Sequence, residues 1–280
     1  MPANVYALGA IALWVTLASL GVSLRHIPPF LLTGVALLMG SLLALPAVLK
    51  DRRAWRIPAR TLALGIYGLF GYHFLLFIAL RHAPPVEANL VNYLWPLLMV
   101  VLAPLFLIGV RLRALHVAAA LLGFGGAAIA ILGAGSGAAG GSGWSWGFVP
   151  ALASAFIWAS YSLLTQRVRA FPTAAIGLFG LVSGGLSLLC HWALEPQAAL
   201  SGRDWLLLAV MGCGPLGAAF FLWDKALKLG DARQIGILSY LTPLGSTALL
   251  MLVSGRALSW SIGLAAVMII GAAVLGTRTK

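Results

Sequence analysis

Ten runs of about twenty apolar residues, separated by joints too short to fold alone, leave this chain almost no choice of environment. A helix rises 1.5 Å per residue, so about 20 apolar residues cross the roughly 30 Å of bilayer hydrocarbon. The runs fall at 5–24, 30–49, 62–80, 86–108, 115–133, 147–166, 174–193, 205–224, 234–254 and 259–276. Lipid tolerates only helices or closed barrels, and the period-2 alternation of barrel strands is absent. The expected fold is an all-α polytopic membrane protein with ten transmembrane helices and no extramembrane domain. Charged residues make up 9% of the 280 and hydrophobic ones 61%. A soluble domain carries about a quarter charged, so a water-soluble enzyme, a nucleic-acid binder and a disordered chain are excluded. The first run starts at Val5 with no Lys or Arg before it and reads as a retained helix rather than a secretory signal. Cys190 and Cys213 lie inside apolar runs without a CxxC and say little about redox compartment.

The cations set the orientation. Lys50, Arg52, Arg53, Arg56, Arg60, Arg111, Arg113, Arg167, Arg169, Lys225, Lys228, Arg233, Arg278 and Lys280 fall on one side, and Arg25, Arg81, Arg203 and Arg256 on the other. The positive-inside rule then places both termini in the cytoplasm. Trp144, Trp146, Trp192, Trp205 and Trp260 fall near outer span ends and read as interfacial anchors. Trp14, Trp95 and Trp158 instead lie near mid-span.

The halves repeat. At a spacing of 147, Phe74-Leu75 and Ala79-Leu80 meet Phe221-Leu222 and Ala226-Leu227, and Tyr93-Leu94-x-Pro96-Leu97 meets Tyr240-Leu241-x-Pro243-Leu244. Trp14 meets Trp158, Arg113-Ala-Leu meets Arg256-Ala-Leu, and Gly126-Ala-Ala meets Gly271-Ala-Ala at nearly the same spacing. Five spans per half is odd, so the second half enters the membrane inverted. The expected organisation is a first repeat at 1–135, a Gly-rich outer linker at 136–146 and a second, inverted repeat at 147–280. Secondary transporters use such repeats to place a site at the midplane.

Chemistry concentrates in the fourth span. Asn89, Tyr93 and Pro96 share a helix face, with Asn92 and Trp95 beside it. Amides and carbonyls would take the polar end of a zwitterion and the rings its apolar end; packing glue between helices is the other reading of each Asn. Pro96 removes a backbone hydrogen bond and Pro243 does the same in the second half, marking a hinge or cavity wall. His73, beside Tyr72, is the one titratable side chain besides tyrosines placed near the membrane centre, as a proton relay or as a neutral hydrogen-bonded ring. Glu87 falls at an outer span end and Asp224 at an inner one, where both would be wet. Asp224 with the adjacent Lys225 reads as an inner gate pair or a plain interfacial one. Glycines such as Gly65 and Gly68 read as helix-packing positions.

The five-plus-five repeat, the prolines of the fourth and ninth spans and the R-A-L entry to the fifth and tenth resemble the EamA-type branch of the drug/metabolite transporter superfamily, over nearly the whole chain. Within it, V-N-Y-L-W-P-L at 91–97, with Gly71-Tyr72-His73 before and Trp158 after, resembles the bacterial aromatic amino-acid exporters. The resemblance implies efflux of aromatic amino acids, and of some other metabolites, through a central cavity lined by Tyr72, His73, Tyr93, Trp95 and Trp158. Many chains of this type carry a Gly-Glu pair at the ends of the fourth and ninth spans. Here Gly109-Val110 and Gly255-Arg256 stand there.

The expectation is therefore a secondary transporter working by alternating access, with Trp14, Tyr72, His73, Asn89, Asn92, Tyr93, Trp95, Trp158 and Tyr240 as substrate-binding candidates. Its partners would be aromatic amino acids and lipid but no nucleic acid, and it would act as a monomer. A sugar-phosphate carrier would need a mid-span cation, and none is present. A dedicated exporter of cationic drugs would need a mid-span carboxylate, also missing, so broad drug and metabolite export is the alternative. With no HExxH, GxSxG or paired acids, neither an enzyme, a metal nor a cofactor is expected.

Overall fold

The computed structural model describes residues 3–134, 144–253, 255 and 260–277. Most of the expected linker, and Arg256, Arg278 and Lys280, lie outside the described residues. The described chain is helical throughout. Eight helices are long and apolar enough to cross a membrane: Ala3–Ser23 (span 1), Pro29–Lys50 (span 2), Ala59–His82 (span 3), Pro85–Phe106 (span 4), Ala114–Gly133 (span 5), Ala175–Leu194 (span 7), Gly202–Leu229 (span 8) and Ala232–Val253 (span 9). Two shorter apolar helices, Phe148–Leu164 (span 6) and Trp260–Gly276 (span 10), complete ten.

Span 8 runs well past the expected end at 224. Its last turns carry Asp224 and Lys228, which pair across one helical turn at 2.6 Å, so the charges decorate a helix that continues rather than marking its stop. Asp224 is buried, not wet, and Lys228 rather than Lys225 is its partner. Lys225 lies over the ring of Tyr6 instead. The five tryptophans expected at the interface are all exposed.

Span 5 packs along span 10 and span 2 along span 7; span 3 meets span 6, span 1 meets span 8, and span 4 meets spans 6 and 9. Span 1 also touches span 9 and span 2 touches span 8. Small residues permit the close approaches. A Cβ on Gly40 would stand 2.7 Å from the Gly212 carbonyl oxygen and 2.8 Å from the Gly217 Cα, so spans 2 and 8 meet backbone to backbone. Gly65 and Gly68 serve differently: the rings of Phe179 and Tyr161 occupy the space their side chains would fill.

Four interruptions break the helical ladders near the middle. Tyr67–Gly71 of span 3 and Gly214–Ala218 of span 8 are wide π-helical turns, placed 147 residues apart. Spans 4 and 9 each lose regular helix just before a proline, at Tyr93-Leu94 and Ser239-Tyr240. Pro96 and Pro243 cannot donate to the carbonyls of Asn92 and Ser239. Ser239 is served by Thr242 N–H at 2.9 Å in a tighter turn.

Acidic side chains tie the helix ends. The first turn of span 2 follows Pro28-Pro29, and its N–H groups lack intrahelical acceptors. The Glu195 carboxylate takes them, accepting from Phe30 N at 3.1 Å and Leu31 N at 3.3 Å, with His191 Nδ1 at 3.0 Å and Arg81 Nη2 at 2.5 Å. This joins spans 2, 3 and 7 at one end. At the other, Asp231 caps span 9 by accepting from Arg233 N at 2.8 Å, and Arg233 donates to the Arg111 carbonyl at 2.7 Å. Burial alone would raise the Asp231 carboxyl, but the hydrogen bonds from Arg233 hold it below the usual carboxylate range.

The Gly40 contact gives a stability test. Gly40→Val must push spans 2 and 8 apart, at a cost of about 1–3 kcal/mol for overpacking. Gly185→Ala meets nothing within 4 Å and is expected to be neutral or mildly stabilising. Thermal unfolding in detergent, expected to fall by several degrees for the first variant alone, checks both.

Candidate functional site

Spans 1, 2, 3 and 4 enclose most of a cavity of about 590 Å³, with spans 6, 8 and 9 completing it through Trp158, Phe220 and Thr242 among others. It reaches the end where Arg25 and Arg81 stand, and its lining includes none of Phe171, Asp224 or Lys228.

Four tryptophans from four spans form the floor. Trp14, Trp95 and Trp158 line the cavity, and Trp223 lies fully buried against them. Ring centroids are 5.9 Å apart for Trp14 and Trp158, 5.1 Å for Trp14 and Trp223, 6.4 Å for Trp95 and Trp158 and 5.7 Å for Trp95 and Trp223. Trp158 also meets Tyr72 at 5.3 Å and Phe220 at 5.7 Å, so it is the hub of the cluster. Edge-on and tilted ring pairs of this kind contribute about 0.5–1.5 kcal/mol each beyond area burial. The indole N–H groups are used as well. Trp14 Nε1 donates to the Pro215 carbonyl at 3.1 Å, inside the π-helical turn of span 8, and Trp223 Nε1 donates to Ser162 Oγ at 3.1 Å.

The polar wall combines amide, hydroxyl and imidazole groups with Arg25 and Arg81 at one end. His73 Nδ1 lies 2.6 Å from the Leu69 carbonyl oxygen. A carbonyl can only accept, so Nδ1 carries a proton; in the neutral ring Nε2 then offers a lone pair to the cavity. Asn92 donates from Nδ2 to Tyr72 Oη at 3.1 Å and accepts from Ser154 Oγ at 3.0 Å. It is thus a strut holding Tyr72 against spans 4 and 6. Asn89 and Tyr93 line the cavity, and among the described residues neither side chain has a hydrogen-bond partner. No acid lines the cavity.

The structure therefore brings Trp14, Tyr72, His73, Asn89, Asn92, Tyr93, Trp95 and Trp158 to one cavity. Tyr240 is elsewhere. It is fully buried among Ala127, Ile269 and Phe124, with its ring filling the space beside Gly123, and it does not reach the cavity. The matched prolines are buried one turn beyond the breaks they cause. Sequence reading missed Trp223, because the span was ended one residue after it, and did not single out Phe220. It also missed Arg81, assigned to a loop. The i,i+4 spacing of Asp224 and Lys228 was the signal that the helix continued past Trp223.

Among the described residues no group of His, Cys, Asp and Glu is placed to hold a metal. The EamA-like transporter family model matches residues 1–132 and 145–278. The chain is 42% identical, over 96% of its length and 94% of the relative's, to the aromatic amino acid exporter YddG of Ancylobacter novellus. It is 31% identical, over 95% and 94%, to the exporter of the same name from Salmonella typhimurium. A solved crystal structure covering 99% of this chain and 97% of its own superposes with a TM-score of 0.89 at 40% identity. The chain belongs to the EamA-like transporter family of the drug/metabolite transporter superfamily: it is a multi-pass membrane transporter, not an enzyme.

Proposed function

We propose that the protein exports aromatic amino acids across the bacterial inner membrane by alternating access, as a monomer with both termini in the cytoplasm. The observation that carries this reading is the aromatic floor, four tryptophans fed by both halves of the chain beneath a polar wall that holds no carboxylate. A free aromatic amino acid matches that division. Its ring stacks on Trp158 and Trp95, and its ammonium finds the lone pair of His73 Nε2 and the side-chain oxygen of Asn89. The names of the two relatives point the same way. A cavity wall without a carboxylate favours a zwitterion over the cationic substrates of a general drug exporter.

Two inverted five-span repeats, 1–135 and 147–280, supply the two states. Support comes from the packing: exchanging each span for the one five places away turns the contact of spans 3 and 6 into that of spans 8 and 1, and that of spans 4 and 6 into that of spans 9 and 1. The interruptions at Tyr93-Leu94 and Ser239-Tyr240, just ahead of Pro96 and Pro243, are the places where rocking bends the helices. Rebuilding regular ladders with Pro96→Ala and Pro243→Ala together is expected to slow flux at least fivefold with substrate binding kept; unchanged flux counts against hinges there.

Labelled phenylalanine flux in proteoliposomes tests the substrate. Trp158→Ala removes several ring contacts, and losing two at about 0.5–1.5 kcal/mol each raises KM about tenfold or more. Trp158→Phe keeps a ring and is expected to lose less, which separates binding from the cost of the cavity. Because His73 Nδ1 is held by a carbonyl, the rate is expected to stay within about twofold whether or not a pH gradient is imposed. Acceleration by the gradient that disappears in His73→Gln would make that ring a proton carrier instead.

A further inference from the structure

The exporter reading leaves one end of an amino acid without a partner. The floor takes a ring and the acceptors of the polar wall take an ammonium, but a carboxylate calls for a cation. Two line the cavity, Arg25 and Arg81. Arg81 alone is held in place. Its Nη2 donates to the Glu195 carboxylate at 2.5 Å, and its guanidinium carbon stands 5.7 Å from the Phe30 ring centroid. Among the described residues nothing else accepts from it, so one of five N–H donors is used.

Glu195 does not simply cancel that charge. The carboxylate is also the acceptor for two N–H groups at the start of span 2 and for the ring of His191, and a helix N-terminus itself favours an anion. Its side chain is fully buried while that of Arg81 is 39% exposed. The pair is therefore asymmetric: an anion sealed among donors, holding a cation whose remaining edge is free. Span 3 reaches the mouth with its C-terminal end, and helical side chains lean toward the N-terminus. Arg81 leans back over the cavity from about two turns above His73.

We propose that Arg81 is the specificity-determining residue for the substrate's carboxylate, docking it on the free edge of a guanidinium that Glu195 positions. The fork geometry of arginine suits a carboxylate in a way that the point charge of lysine does not. Substrates of this cavity are then aromatic acids with a free carboxylate, and the corresponding amines are poor ligands. This inference rests on the exporter reading.

Competition against labelled phenylalanine flux in proteoliposomes, using phenylalanine and phenethylamine, tests it in the wild-type protein first. Phenethylamine keeps the ring and ammonium and lacks the carboxylate. It is expected to compete at least tenfold more weakly than phenylalanine; equal competition overturns the proposal without any variant. In Arg81→Gln the phenylalanine KM is expected to rise at least tenfold while phenethylamine competes as before, and Arg81→Lys is expected to fall between. Equal weakening of both ligands, or an unchanged KM, overturns it, since the first outcome describes a purely structural arginine. Failure of the wild-type protein to move phenylalanine at all would instead sink the exporter reading on which the proposal stands.

Discussion

A peptide group left unpaired in hydrocarbon costs several kcal/mol, and the rest of this structure can be traced to how that cost is avoided. A bundle of ten uninterrupted helices would satisfy its backbone and hold nothing. This chain breaks four ladders, two with π-helical turns and two ahead of prolines, and three of the breaks contain or directly precede cavity-lining residues, Tyr72, Leu216 and Tyr93. The loosened carbonyls receive side chains: the His73 ring sits on Leu69 and the Trp14 indole on Pro215. At the two π-helical turns, cavity-lining residues thus also serve loosened carbonyls. Replacing Trp14 or His73 removes a wall group and a carbonyl's side-chain partner together.

The two ends of the bundle carry related devices. Arg81 stands over Phe30 beside Glu195, and Lys228, 147 residues later, stands over Phe171 at 3.9 Å beside Asp224. At the first end the cavity is open and Arg81 keeps a free edge. At the second, Lys228 also donates to the Phe171 carbonyl at 2.9 Å, and Thr173 Oγ1 donates to Asp224 Oδ2 at 2.7 Å. Gln166 Nε2 adds a bond to the Leu227 carbonyl at 2.5 Å. That end is therefore laced by hydrogen bonds between the chain after span 6 and the end of span 8.

Spans, class and most of the cavity were legible because hydrocarbon imposes a length, a composition and a price on polar residues that single residues reveal. Asn89, Tyr93, Trp95 and Trp158 stood out as groups that lipid does not tolerate or does not need. Residues whose role depends on a partner far along the chain were not legible. Glu195 reads as a loop acid until span 2 presents bare N–H groups to it, and Asp224 reads as wet until span 8 continues beneath it. Tyr240 shows the opposite failure: the repeat that pairs it with Tyr93 preserves the proline break but not the packing, and Gly123 opens a slot for its ring on the side facing span 5.

The central requirement is that one end stays shut while the other is open. The most direct test links the closed end chemically. In a Cys190→Ser, Cys213→Ser background, cysteines at Thr173 and Lys228 can be joined by a short bifunctional reagent, since Lys228 Nζ lies 3.4 Å from Thr173 Oγ1. Net phenylalanine flux in proteoliposomes is expected to stop on linking and return when a cleavable linker is cut, with binding at the open mouth unaffected. Undiminished flux through the linked protein would contradict alternating access.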